Sequence, residues 1–123
     1  MARYTQHFTI TIALGDLHAA ILESFALCRL PIVYSNDDYV LAQESAGQVA
    51  YGKLVTVEVL IHQSAIQQDK STGITSDQVK LTCVAKNGEL PLRESNHCRD
   101  MADLVNKAFE NNPNWLLLES IAG

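Results

Sequence analysis

Basic side chains are scarce in this chain, cysteines are few, and no long apolar run occurs. Nine Lys and Arg against fourteen Asp and Glu leave a formal net charge of -5. Broad contact with nucleic acid requires many phosphates to be neutralised by Lys and Arg, so no nucleic-acid partner is expected. The three cysteines, Cys28, Cys83 and Cys98, are odd in number and form no C-x-x-C pair. Unpaired thiols without an N-x-Ser/Thr acceptor suit a reducing cytoplasm better than a secreted disulfide framework. No apolar stretch approaches the ~20 residues that cross a bilayer. The opening "MARYTQHFTITIALG" lacks the apolar core of a secretion signal, because threonines alternate with its apolar residues. The expectation is a cytoplasmic protein with no membrane partner.

What is present is hydrophobic patterning. With 47% hydrophobic and 19% charged residues, the 123-residue chain reads as one globular domain, 1–123. Tyr4, Phe8, Ile10, Ile12 and Leu14 alternate with Arg3, Thr5, His7, Thr9 and Thr11, the signature of a half-buried strand. Asp16 is a candidate helix N-cap. Leu17, Ile21, Phe25 and Cys28 then recur at helical spacing, predicting a helix over 17–29 that Pro31 ends. "IVYS" and "YVLAQE" flank the turn formers Asn36-Asp37-Asp38, predicting a hairpin. Residues 49–63 alternate again and predict a long strand, bent or bulged at Gly52. Residues 65–78 are polar and form the longest loop candidate. Val79, Leu81, Cys83 and Ala85 mark another strand. Asn87-Gly88 after it is the preferred pair for a type I′ hairpin turn, with "ELPL" as the return strand. Ser95 or Asn96 caps a second helix with the stripe Cys98, Met101, Ala102, Val105, Ala108 and Phe109, stopped by Asn112-Pro113. Residues 115–121 are compatible with a strand, a helix or an arm.

The order β-α-β-β-β-β-β-α, with one apolar face per strand and one stripe per helix, predicts an α+β domain. Its packing is a single antiparallel sheet of about five to six strands with two helices on one face. That element order resembles the TATA-binding-protein-like and helix-grip folds, and an element order carries no functional residue with it.

Several local patterns invite a chemical reading. "GQVAYGKL" (47–54) matches the phosphate-loop spacing G-x-x-x-x-G-K, with Leu54 where a magnesium-binding Ser or Thr belongs. It leads into a strand instead of a helix, so its backbone N–H groups cannot converge on a phosphate as a helix N-terminus would. His97-Cys98 pairs a histidine with a thiol at a helix start, but Cys98 belongs to the apolar stripe and reads as a buried structural thiol. His97 then reads as a solvated end residue. His7, Glu58 and His62 share the polar strand face and could cluster if the first and long strands were neighbours. Glu58 and His62 are ~13 Å apart along one strand, too far to share a metal. No catalytic residue, metal or cofactor is expected.

The polar sheet face carries more. Large aliphatics, Leu54, Leu60 and Val84, fall on its parity, beside Thr56, His62 and Thr82. Those six are the candidate partner-binding residues, because exposed aliphatics grouped in one patch mark contact surfaces. The leading expectation is a non-enzymatic module that binds a protein partner or a copy of itself through this face and the 65–78 loop. The alternative is a small-ligand-binding protein or enzyme with a cavity between sheet and helices. Phe25, Met101 and Phe109 would line that cavity, with Cys98 or His97 at its mouth.

Overall fold

In the computed structural model of the chain, residues 1–47, 49–62, 78–90 and 96–123 are described. The alternation expected over residues 4–14 becomes β1 (Ala2–Thr11), which starts two residues early and ends before Leu14, the first residue of the helix. Phe8 and Ile10 point into the core while Arg3 and His7 stay exposed. The first helix, α1 (Leu14–Leu27), also starts early. Ala13 holds the N-cap position, and Asp16 lies in the first turn, where its carboxylate still faces the positive helix end. Arg29 takes a left-handed φ of 57°, and the Leu30 amide donates back to the Phe25 carbonyl at 3.0 Å, which closes the helix before Pro31.

The predicted hairpin is present as β2 (Ile32–Ser35) and β3 (Tyr39–Gln43). Asn36 holds its turn by accepting from the Asp38 amide at 2.9 Å. The long strand predicted over 49–63 is not continuous. Tyr51–Lys53 form a short 3-10 turn, and β4 begins only at Thr56 (Thr56–His62). The cause is a tertiary contact: the Gly88 amide donates to the Gly52 carbonyl at 3.0 Å, pinning the turn against the end of β5 (Gln78–Asn87). A Cβ on Gly88 would lie 2.8 Å from that carbonyl oxygen, so glycine is needed there for close approach.

It is not needed for a hairpin. Neither Asn87 nor Gly88 has positive φ, and the type I′ turn does not form. The Asn87 side chain turns the chain instead. It accepts from the Glu89 amide at 3.0 Å and donates to the Lys53 carbonyl at 3.1 Å. Of the "ELPL" return strand, Glu89 and Leu90 lie outside any strand, and Pro91-Leu92 fall outside the described residues, as do residues 65–77 of the loop. The second helix, α2 (His97–Glu110), is capped as predicted by Asn96, whose side chain accepts from the Arg99 amide at 3.1 Å. Residues 116–122 resolve the open question at the end of the chain: they form β6 (Leu116–Ala122), paired with β1.

All pairings are antiparallel, and the six-stranded sheet runs β2-β3-β4-β5-β1-β6. Both helices cover one face. Phe109 of α2 is at the centre of the core, with ring centroids 5.4 Å from Phe8, 5.6 Å from Phe25 and 5.5 Å from Trp115. Buried Asn112 ties the helices together by donating to the Ala20 carbonyl at 3.0 Å and the Ser24 hydroxyl at 2.7 Å. Trp115 donates its indole N–H to the Phe109 carbonyl at 2.8 Å. That bond satisfies the polar atom of a residue otherwise buried in apolar surroundings.

Candidate functional site

The face of the sheet opposite the helices holds most of the candidate residues. Cross-strand pairing places Tyr39, Leu60, Thr82, His7 and Ile121 in one row across five strands. The next row holds His62, Lys80, Thr9 and Glu119. Among the described residues no element covers this face. Its exposure is uneven, however. Leu60 is 38% and Ile121 50% exposed, whereas Val84 is only 3% exposed.

Thr56, Leu60, His62 and Thr82 therefore occupy the face as expected. Val84 has the right parity but little surface to offer. It is flanked by Thr5 and by the Glu58–Lys86 ion pair, whose closest atoms are 2.6 Å apart. Leu54 lies between the 3-10 turn and β4, half-exposed and off the strand. Parity arguments require an unbroken strand, and this one is interrupted.

His7 and His62 are not on neighbouring strands, because β5 separates β1 from β4. They meet across it. The Thr82 hydroxyl lies 3.1 Å from His7 Nδ1 and 3.0 Å from His62 Nε2. A hydroxyl has one hydrogen and two lone pairs, so Thr82 donates to at most one of these rings. At least one of the two ring nitrogens must then carry a hydrogen and donate to the oxygen. Above this hub the face forms an open concavity of about 510 Å³, whose lining includes His7, His62, Lys80, Thr82, Glu119 and Ile121. Gly123 lies against the His7 ring and leaves it room, since a Cβ there would collide with Nε2. Glu58, the third member of the imagined cluster, is engaged elsewhere. It pairs with Lys86 and bonds Tyr39, whose phenol is pushed up by desolvation and then by the Glu58 charge. Among the described residues no three His, Cys, Asp or Glu side chains are arranged to hold a metal.

The second polar cluster is at the start of α2. His97 is not simply solvated: its Nε2 lies 2.8 Å from the Glu44 carboxylate, which also accepts from the Val55 amide at 3.1 Å. Glu89 accepts from the His97 amide at 3.2 Å and the Cys98 amide at 2.9 Å. Desolvation raises the Glu89 carboxyl, but the Asn87 side chain, these two amides and the Lys53 charge outweigh it, and the net shift is downward. Glu89 thus neutralises free N–H groups at the helix start. Glu44 and His97 are 53 residues apart, and no local pattern announces their pairing.

The thiols are free and buried. Burial, then the Glu89 charge, pushes Cys98 up to about 11, and its Sγ contacts the Ala2 carbonyl. Burial, then Cys28, pushes Cys83 up to about 12. A thiol so raised is not a thiolate at neutral pH, and the nucleophile reading of His97-Cys98 has no support. The glycine-lysine stretch is a turn leading into β4, with Gln48 outside the described residues. Phe25 and Phe109 are fully buried in ring contact with each other, and Met101 packs at the core's edge.

No protein-family model matches the chain, and no curated protein is similar enough to count as a relative. Among the described residues no helix is long and apolar enough to cross a membrane.

Proposed function

We propose that the chain is a binding module that presents its open sheet face to a protein partner or to another copy of itself. The observation that carries this reading is the row Tyr39–Leu60–Thr82–His7–Ile121, polar at its centre and apolar at both ends. Apolar side chains held at both ends of a rigid sheet cost hydration when left bare and gain it back on contact. Tyr34 extends the apolar end: it is 54% exposed, and its ring is 6.2 Å from that of Tyr39. A cytoplasmic setting belongs to the same reading and is supported by three free, buried thiols.

Light scattering on wild type and Leu60→Glu, with circular dichroism as the folding control, tests the self-association half. An oligomeric wild type that Leu60→Glu converts to a folded monomer supports it. A wild type that is monomeric at every concentration removes it and leaves the partner half, which affinity capture from its own cell extract with and without Leu60→Glu then decides.

A further inference from the structure

In the proposed contact the apolar ends of the five-strand row supply the hydrophobic gain, and its polar centre offers a separate chemistry. There His7, Thr82 and His62 converge from three strands, and Lys80 joins them at the wall of the concavity. We propose that this concavity binds a small organic oxyanion, a carboxylate or a phosphate monoester, with its charged group against His7, His62, Thr82 and Lys80.

Four features support that class of ligand. The first is charge. On the open face of β1, β4, β5 and β6 the basic residues are Arg3, Lys80 and Lys86, against Glu58 and Glu119, before either histidine is protonated. The chain as a whole is at -5, so this face runs against the charge of the molecule. Glu58 and Lys86 neutralise each other, which leaves Arg3 and Lys80 against Glu119.

The second is the hydrogen-bond arithmetic of the hub. With both rings neutral, the Thr82 hydrogen can be consumed between them. When both rings are protonated, each bonded nitrogen becomes a donor, Thr82 accepts twice, and its own hydrogen turns out into the concavity. Protonation therefore adds a free donor as well as two charges. The groups facing the hub are His7 from β1, His62 from β4, Lys80 from β5 and Glu119 from β6, and Glu119 alone among them opposes an anion.

The third is polarity. Glu119 and Lys80 flank Thr9 on opposite sides. The acid keeps the anionic group on the Lys80 side and leaves an acceptor for a hydroxyl or ammonium at the ligand's other end, beside apolar Ile121. The fourth is size: about 510 Å³ is within the range of small-molecule sites. A metal ion fits less well, since the Lys80 ammonium repels a cation and no third His, Cys, Asp or Glu ligand is placed for it among the described residues.

The test is NMR titration of isotope-labelled protein with inorganic phosphate and, separately, with succinate, at constant ionic strength and constant pH. Saturable shifts at His7, His62, Lys80 and Thr82 are expected. Lys80→Gln should weaken binding about tenfold, the loss of one charge-assisted hydrogen bond, while Lys107→Gln on the far side of α2 should not. The tighter of the two anions identifies the ligand as phosphate-like or carboxylate-like. Shifts that fail to saturate, that sodium chloride reproduces, or that Lys107→Gln weakens as much as Lys80→Gln would overturn the proposal. So would binding only of an acidic peptide, with neither free anion bound. Lys80 is an exposed strand residue, so its substitution leaves the fold intact.

Discussion

The two faces of β4 differ in raw material, and one adjacent pair shows how face alone decides a residue's fate. Leu60 and Ile61 are adjacent aliphatics, yet Leu60 is 38% exposed and Ile61 6%. Parity sends Val57, Val59 and Ile61 under the helices and Thr56, Glu58, Leu60 and His62 to the open side. The covered face is uniform: apolar, ring-packed and closed by a few buried hydrogen bonds. The open face is a mixture in which apolar groups, an ion pair and a histidine–threonine hub lie side by side. A core needs only volume and dryness, whereas a recognition surface needs chemically distinct groups at fixed separations.

The contrast can be broken most severely from the covered side. Val57 is fully buried in β4, and Val57→Glu places an unpaired charge there; the domain should unfold, seen as loss of the cooperative transition by circular dichroism. Phe109→Ala empties the centre of the ring cluster and should cost about 3–5 kcal/mol in chemical denaturation, because helices tied by Asn112 and Trp115 cannot collapse freely into the void.

A smaller effect comes from the polar cluster at the α2 start. Glu89→Gln should cost about 1 kcal/mol at neutral pH, the usual scale of a lost helix cap. The sign of its pH dependence follows from the lowered carboxyl. The stabilisation is fully present above the ordinary value of 4.5 and is lost as pH falls through the lower folded value. Denaturation midpoints of wild type and variant should therefore converge on acidification below that value; curves that stay parallel would show that the charge contributes nothing.

The smallest effect on folding should be Leu60→Glu, within roughly 0.5–1 kcal/mol, because the new carboxylate remains in water. A Leu60→Glu protein as unstable as Phe109→Ala would mean that the open face is covered after all, and the comparison between faces would collapse.

Whatever depended on neighbours in sequence was legible without the structure: the alternation of β1, β4 and β5, the apolar stripe of α2, the Asn96 cap and the α+β class. These follow from side-chain periodicity and local backbone bonding, which a short stretch of chain sets by itself. Apart from the start of α1, where Ala13 and not Asp16 holds the cap position, the errors lay where a distant segment intervened. Gly52 turned because Gly88 bonds it, Asn87-Gly88 declined the hairpin because Glu89 is engaged at α2, and His97 found Glu44. The open-face hub belongs to the same class. His7, His62 and Thr82 were each placed on the right face by parity, but only the order β4-β5-β1 puts the threonine between the histidines, and only β6 brings in Glu119. Strand order is chosen by the burial of the whole sheet under two helices, a global sum that no local pattern encodes.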